Sequence, residues 1–286
     1  MTLLQALILG ALQGFSELFP ISSLAQTILL PALLKWDMSN RENPDFLAFV
    51  VLLHLATAIA LLIYFWKDWR VVFLAWIGSA KRGQLVYDEQ SKFAWLLVAG
   101  TVVVAAVGFA FEKKLRKLFE DPKYLWVVAA VLVLNGVMMI LADLVKQRAT
   151  KTDNSNSQRK KAYELTFIEG AAVGATQSLA LVPGISRSGV TIVAGLLAGL
   201  SYEEAGRFSF MLATPIIGLA ALLKVPTLLH LQARHMLNVG IPSAILSGLT
   251  AYFSTKFLMR YFQHNRLSPF GAFCIIWGLF ALWMLH

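Results

Sequence analysis

Long apolar runs separated by short polar segments dominate the chain. An apolar helix of about 20 residues is long enough to cross roughly 30 Å of hydrocarbon. Tryptophans such as Trp66 and Trp126 lie near the ends of several runs, where aromatic side chains favour the membrane–water interface. The pattern therefore predicts six membrane-spanning helices, at 46–66, 93–111, 124–145, 208–228, 237–260 and 268–285.

Two further apolar regions are interrupted and do not form simple spans. Region 1–34 contains Pro20 between polar neighbours, and region 164–200 contains Pro183 followed by Gly184. Backbone that leaves a helix at membrane depth is tolerated only where protein or a water-filled cavity surrounds it. Each region is therefore predicted to be a re-entrant hairpin, with two short helices joined by a loop.

The two broken regions resemble each other. Residues 10–23 read GALQGFSELFPISS, and residues 174–188 read GATQSLALVPGISRS. Three predicted spans follow each region, and an odd number of spans per half turns the second half upside down. That is the plan of inverted-repeat membrane proteins, whose sites lie at the repeat interface near the midplane. The repeat pairs Gly10 with Gly174, Gln13 with Gln177, Pro20 with Pro183 and Ser22 with Ser186.

The predicted fold class is an all-α integral membrane protein: an inverted-repeat bundle of about six full spans plus two re-entrant helix-loop-helix hairpins. Composition agrees, because 58% of residues are hydrophobic and only 14% are charged, against roughly 25% charged in soluble domains. We expect a single membrane domain, 1–286, with repeat halves at about 1–145 and 164–286. The single cysteine, Cys274, excludes an intrachain disulfide.

The formal net charge of +9 comes from short basic segments between the apolar runs. No pattern of basic and aromatic residues indicates nucleic acid as a partner, and membrane orientation explains the clusters better. Segments 67–92 and 146–163 are basic loops separated by two spans, so they share one side, which the positive-inside rule makes cytoplasmic. Segment 112–123, also basic, then lies on the opposite side, and both termini face outward.

The second broken region carries the sharpest candidate, Arg187, within LVPGISRSGVT. An arginine at membrane depth is costly and is usually paired or functional. Its planar guanidinium suits a pair of phosphate oxygens, and Ser186, Ser188 and Thr191 would add hydroxyl donors. Gly184 would let the backbone approach a ligand, and the N-terminus of the following helix favours an anion. The alternative is an arginine that snorkels to the interface or caps a helix.

The first broken region carries Glu17, one helical turn after Gln13, so both side chains face the same way. The carboxylate suits a divalent cation or a general base, and the alternative is a structural ion pair with Arg187. Ser22 and Ser23 follow as candidate phosphate contacts, and the alternative for them is helix capping alone.

With these residues in view, the chain resembles the undecaprenyl-diphosphate phosphatase family, also called the BacA/UppP bacitracin-resistance family. QGFSELFPISS is similar to that family's (E/Q)xxxE-x-x-P-x-S-S motif, and PGISRSGVT matches its PGxSRSxxT motif. The likeness covers nearly the whole chain, including the spacing between the two motifs. The pair of motifs is specific, whereas either alone would be less so.

The resemblance implies an enzyme that removes the terminal phosphate of undecaprenyl diphosphate and regenerates the monophosphate carrier lipid for cell-wall synthesis. It also implies a divalent cation, Mg²⁺ or Ca²⁺, and a site that opens to the periplasmic side of the bacterial inner membrane. The expected partners are the polyprenyl diphosphate lipid and the membrane, with a homodimer left open. Carried over by position, the catalytic residues are Glu17, Arg187 and Ser23, the metal ligand is Glu17, and the substrate-binding residues are Gln13, Ser22, Gly184, Ser186, Ser188 and Thr191.

The first motif departs from the family at one important position. The family motif commonly continues S-S-T-G-H, with that histidine a proposed catalytic residue, whereas this chain reads SSLAQ and has Gln26 there. A glutamine cannot exchange protons near pH 7, so the proton donor is unassigned. His54, within the first long run, is the nearest replacement in kind, although a histidine there is more often a helix-packing hydrogen-bond partner.

The leading prediction is a membrane phosphatase acting on a polyprenyl diphosphate. The alternative is a transporter that returns the monophosphate lipid across the membrane, since inverted repeats with broken helices are transporter architecture. A small-ion channel is disfavoured because the chain has one clamp rather than a ring of ligands, although a homo-oligomer could supply one.

Overall fold

A computed structural model describes residues 1–36, 44–120, 122–152, 160–229 and 234–285, and this part of the chain is almost entirely helical. The predicted basic loop 146–163 falls partly outside it. Short 3₁₀ turns lie at Pro122–Tyr124, Ala162–Glu164 and Gln177–Leu181. The α-helices of the described ranges are α1 (Leu3–Ser16), α2 (Ser23–Leu33), α3 (Pro44–Tyr64), α4 (Trp66–Arg82), α5 (Glu89–Glu120), α6 (Leu125–Thr152), α7 (Phe167–Thr176), α8 (Arg187–Leu197), α9 (Tyr202–Leu229), α10 (Arg234–Tyr261) and α11 (Ser268–Leu285).

The predicted all-helical membrane bundle is confirmed. Within the described ranges, α5, α6, α9 and α11 are each long and apolar enough to cross a membrane. Helix α10 has the predicted position, but its serine- and threonine-rich sequence leaves it outside that group. The chain is therefore a multi-pass membrane protein.

The first predicted span is helix α3, after which the chain turns sharply into α4. The two helices together are apolar enough for one span but are bent by 81°. The expectation of a loop over 67–92 is wrong for residues 67–82 and 89–92, which are helical. Val72, Ala75 and Ser79 recur every three or four residues and are buried, so one face of α4 packs against the bundle. The helix ends at Gly83, whose φ of 63° suits a glycine C-cap.

Both predicted hairpins are present as helix–loop–helix units. Helix α1 leads through residues 17–22 into α2, and α7 leads through a 3₁₀ turn and residues 182–186 into α8. Each unit begins with a capping box, formed by Thr2 with Gln5 in the first and by Thr166 with Glu169 in the second. These caps satisfy N–H groups of the first helical turn that have no partner within the helix.

Each hairpin packs against a long helix of the other predicted half. Helix α1 lies on α10 and α7 lies on α5, while α3 packs on α9 and α6 on α11. A Cβ at Gly10 would collide with the backbone of Ser243, and a Cβ at Gly174 would collide with the backbone of Gly100. Close approach through small residues is a common way for membrane helices to associate. These reciprocal contacts bring the two hairpin loops together.

Candidate active site

The two hairpin loops meet through an ion pair between Glu17 and Arg187. Arg187 Nη2 donates to Glu17 Oε1 at 2.7 Å, although the two residues are 170 positions apart. Arg187 Nη1 also donates to the carbonyl oxygen of Ala213, at 3.3 Å. The two side chains are only 8% and 14% exposed. The ion pair considered as an alternative role for Glu17 is therefore present, and it lies in the wall of a pocket.

The second carboxylate oxygen of Glu17 is held by the first hairpin itself. Glu17 Oε2 accepts from Gln13 Nε2 at 2.9 Å and from Ser23 Oγ at 2.5 Å. Donors thus engage both carboxylate oxygens, which offsets the cost of burying the charge. The predicted placement of Gln13 and Glu17 on one face of α1 agrees with this contact.

His54 of α3 joins this network from outside the hairpins. Its Nδ1 lies 2.8 Å from the carbonyl oxygen of Val50, and its Nε2 lies 3.2 Å from Gln13 Nε2. In the tautomer with a proton on Nδ1, this nitrogen donates to the Val50 carbonyl and Nε2 accepts from the amide of Gln13. His54 Nε2 is also 3.8 Å from Glu17 Oε2. The structure therefore brings His54 to the site, although nothing in the sequence placed it there.

Two helix N-termini converge on the same pocket. Ser22 caps α2 by accepting from the N–H of Ala25, and Ser186 caps α8 by accepting from the N–H of Gly189. Both serines line the pocket. Helix N-termini carry partial positive charge and free N–H groups, and they attract phosphate. Ser22 has a φ of 62°, and such strained backbone is concentrated at functional sites.

Asn135 of α6 fixes the two loops relative to each other. Its Nδ2 donates to the carbonyl oxygen of Pro20 at 3.1 Å, and its Oδ1 accepts from the backbone N–H of Ser186 at 3.0 Å. The residue is buried, so water does not compete for these bonds. Asn135 was not among the predicted site residues, and its signal in the sequence is a lone asparagine within the apolar run 124–145.

A pocket of about 330 Å³ opens beside the ion pair, and we call it the central pocket. Its wall is partly polar and partly apolar. The apolar part comes mainly from α5 and α9, through residues that include Val104, Phe109, Ile217 and Leu223. The polar part comprises Glu17, Ser22, Ser23, His54, Gln177, Ser186, Arg187 and Lys224.

Three predicted substrate contacts of the second hairpin do not line the central pocket. Gly184 has a φ of 110° in the turn before α8, and α6 leaves no room for a Cβ there. Thr191 donates to the carbonyl oxygen of Arg187 one turn earlier, at 2.7 Å. Ser188 Oγ lies 3.1 Å from Ser186 Oγ. Gly184 and Thr191 therefore shape the backbone, and Ser188 orients a serine that does face the pocket.

Gln26 also lies away from the central pocket. Its Nε2 donates to the carbonyl oxygen of Ile21 at 3.0 Å, and the side chain is buried. Gln26 occupies the position of the family's histidine, and its hydrogen bond connects helix α2 to the loop that precedes it.

The donor set of the site suits a cation that binds together with a phosphate. Among the described residues, no three side chains of the His, Cys, Asp and Glu types lie close enough to hold a metal ion by themselves. Mg²⁺ is commonly held by one or two carboxylates plus phosphate oxygens. Glu17 is the one carboxylate among the residues that line the central pocket and offers that smaller set of ligands, whereas Gln13 does not line the pocket.

Known proteins are similar in sequence to this chain over almost its whole length. Residues 6–280 match the family described as "Bacitracin resistance protein BacA". The chain is 40% identical to the "Undecaprenyl-diphosphatase" of Acidiphilium cryptum, over 99% of this chain and 98% of the relative. It is 42% identical to the "Undecaprenyl-diphosphatase 2" of Chromobacterium violaceum, with the same coverage, and 41% identical to the "Undecaprenyl-diphosphatase" of Granulibacter bethesdensis, over 100% and 98%. The resemblance inferred from the two motifs is confirmed, and the chain belongs to the BacA bacitracin-resistance family.

Proposed function

We propose that the chain hydrolyses the terminal phosphate of undecaprenyl diphosphate and releases inorganic phosphate and undecaprenyl monophosphate. Its relatives are named for this activity. The observation that carries the proposal is the composition of the central pocket, where Arg187 and two capped helix N-termini face an apolar wall. A substrate with an anionic headgroup and a lipid chain requires both kinds of surface in one place.

The apolar wall is suited to the lipid part of the substrate. Phe109 of α5 and Leu223 of α9 line the pocket and are 89% and 66% exposed, so the wall continues onto the outer surface of the bundle. A pocket of about 330 Å³ is far too small for a C55 chain. We therefore expect the headgroup to enter sideways from the bilayer between α5 and α9, with most of the lipid chain left in the membrane.

The charge balance of the site supports a divalent cation. Glu17 and Arg187 neutralise each other, whereas a diphosphate brings several negative charges into a buried place. When bound by Glu17 and the substrate's phosphate oxygens, Mg²⁺ or Ca²⁺ would supply charge neutralisation. We therefore propose that activity depends on a divalent cation.

Arg187 is the residue best placed to stabilise the transferred phosphoryl group. A guanidinium has five N–H donors, and the contacts to Glu17 and Ala213 leave others free for phosphate oxygens. Phosphoryl transfer depends mainly on positioning and electrostatic stabilisation. The helix N-termini at Ser22 and Ser186 add positive potential at the same place.

Glu17 and Ser23 are arranged as a base and a hydroxyl. The Ser23 hydroxyl donates to Glu17 at 2.5 Å, which is the geometry of a nucleophile activated by a base. Because Ser23 also lines the pocket, its oxygen can instead contact a phosphate without attacking it. If Ser23 is the nucleophile, its Oγ bonds to the terminal phosphorus, its proton passes to Glu17, and water later hydrolyses the phosphoserine; if Ser23 only contacts phosphate, a water molecule attacks the phosphorus instead. In either role, the bond from the terminal phosphorus to the bridging oxygen breaks, and its electron pair leaves with the lipid monophosphate. Rapid-quench labelling separates the roles, because only nucleophilic attack produces a phosphoserine at Ser23.

We also propose that the central pocket opens to the periplasmic side of the bacterial inner membrane. Arg207, near the start of α9, pairs with Asp68 at the start of α4. These residues mark the end of the bundle that carries the basic segment 67–92, which the positive-inside rule makes cytoplasmic. The central pocket is lined by residues between 216 and 224, which lie toward the opposite end of α9 and therefore toward the periplasmic side.

Single-cysteine labelling tests this orientation, in a Cys274→Ala background. We expect Lys81→Cys to be protected from impermeant thiol reagents added to intact cells. Asn40→Cys should be labelled and Ser155→Cys protected, and these two positions lie outside the described residues. Labelling of Lys81→Cys with protection of Asn40→Cys would invert the topology. Light scattering in detergent tests the homodimer, which stays a prediction.

The activity is tested with purified protein and undecaprenyl diphosphate. We expect equal amounts of inorganic phosphate and lipid monophosphate from wild type, and loss of both in Arg187→Ala. Arg207→Ala is the matched control, because it removes an arginine–carboxylate pair outside the pocket. Binding of the lipid phosphate without any release of phosphate would favour the transporter instead.

A further inference from the structure

Gln177 is a polar residue of the central pocket whose side-chain amide makes no hydrogen bond to any described residue. It is 2% exposed, it lines the pocket, and neither Nε2 nor Oε1 has a hydrogen-bond partner among the described residues. Leaving a buried amide unsatisfied costs free energy. Other polar side chains that line the same pocket, such as Arg187, Ser23 and His54, have partners within the protein. A buried amide of this kind suggests a ligand that is supplied from outside.

The backbone around Gln177 holds the side chain in this position. Its N–H bonds to the carbonyl oxygens of Gly174 and Ala175 at the end of α7. Gly174 in turn lies against Gly100 of α5, so closely that a Cβ would not fit. Helix packing therefore keeps the amide at the pocket, and the residue is not on a loosely placed loop.

The predicted repeat partner, Gln13, shows what a glutamine at this position binds. Gln13 Nε2 donates to Glu17, the residue four positions later. Four positions after Gln177 the chain has Leu181, which offers no anion. In the first hairpin the anion is therefore part of the protein. In the second hairpin the amide lines the pocket without a partner among the described residues, so a ligand bound there can supply the anion.

We propose that Gln177 binds the diphosphate headgroup, with its Nε2–H₂ group donating to a phosphate oxygen. The proposal rests on the proposed function for the identity of the lipid. A neutral amide adds a donor without changing the charge of the site, and its Oε1 accepts from water or from a protonated phosphate oxygen. Gln177 would thus hold the headgroup from the second hairpin while Arg187 holds it at the N-terminus of α8.

Two substitutions at position 177 test the proposal. Gln177→Leu keeps the approximate volume and removes the unsatisfied amide, so the Tm without ligand should equal or exceed that of wild type. A hydrogen bond to a charged group corresponds to about a tenfold to a hundredfold change in affinity. We therefore expect KM for undecaprenyl diphosphate to rise by about that factor, and the Tm increase caused by a fixed concentration of inorganic pyrophosphate to become smaller. Gln177→Glu should be worse still, because it places a carboxylate against the phosphate.

Thr101→Val is the matched control. The Thr101 hydroxyl is also buried without a partner among the described residues, but it does not line the pocket, so this variant should keep wild-type KM and the pyrophosphate effect. Wild-type KM and an unchanged pyrophosphate effect in both Gln177 variants would overturn the proposal. So would a lowered Tm of ligand-free Gln177→Leu with an unchanged KM, which would mean a packing role. If wild type releases no phosphate, the proposed function fails, and the pyrophosphate effect still decides whether Gln177 binds the headgroup.

Discussion

Variants of Arg187 are expected to change the stability of the protein and its rate of phosphate release to different extents. Arg187→Ala leaves the buried carboxylate of Glu17 without a counter-charge. At an effective dielectric of about 20, unit charges 2.7 Å apart attract by about 6 kcal/mol, from 332/(20 × 2.7). Water entering the space and the remaining donors, Gln13 and Ser23, recover part of this. We expect a net loss of about 3 kcal/mol, the lower end for a broken buried ion pair.

The conservative and the double variants have different expected profiles. Arg187→Lys keeps the charge, but one ammonium cannot replace the fork that reaches both Glu17 and Ala213. Its stability should fall by about 1 kcal/mol, the worth of one hydrogen bond. Phosphate release should fall in both variants by about tenfold to a thousandfold, as for loss of a charge-stabilising donor. Adding Glu17→Gln to Arg187→Ala should restore most of the stability, because no unpaired charge is left, and none of the activity.

Thermal unfolding in detergent and phosphate release by the same preparations measure the two effects. Arg207→Ala is again the control, since its partly exposed pair with Asp68 is worth only about 0–1 kcal/mol. Near-normal phosphate release by Arg187→Ala would refute the phosphate clamp. Failure of the added Glu17→Gln to raise the Tm of Arg187→Ala would refute the electrostatic reasoning for the pair.

Three further substitutions follow from the contacts around the site. Gln26→His should raise phosphate release by at most about tenfold, the bottom of the range for general acid–base catalysis, because position 26 faces its own loop; a larger gain in kcat would contradict that placement. Asn135→Leu should leave the Pro20 carbonyl and the Ser186 N–H without a hydrogen bond, and the free energy of unfolding should fall by about 1–3 kcal/mol for each group. An unchanged Tm would show that the hairpin loops do not depend on the bonds to Asn135. Gly174→Ala should force a Cβ into the backbone of Gly100 and cost about 1–3 kcal/mol, whereas Gly218→Ala, where space is open, should leave the Tm unchanged.

The spans and hairpins were predictable because their signals are local. Long apolar runs have few stable alternatives to a membrane helix, and Pro20 and Pro183 mark the breaks directly. Helix α4 was missed because its basic residues indicate a cytoplasmic segment whether or not it is helical. The buried residues Val72 and Ala75 mark its inner face only once the bundle is known.

The motifs identified the ion pair but not its surroundings. Glu17 and Arg187 were predicted because a charged residue in an apolar run is costly to bury and is therefore usually paired or functional. Asn135 and His54 reach the site from separate helices, and their contacts depend on tertiary packing that no local pattern reports. Gln177 was visible as the repeat partner of Gln13, yet its missing partner could be seen only in the folded chain.

Metal-dependent turnover by the purified wild-type protein tests the central claim most directly. Phosphate release from undecaprenyl diphosphate would be followed with and without a chelator, and after a divalent cation is added back. We predict chelator-sensitive release by wild type, with Gln26 in place of the family's histidine, and its loss in Glu17→Gln. Lipid binding without chelator-sensitive release by wild type, with activity appearing only in Gln26→His, would contradict the phosphatase assignment and favour the transporter.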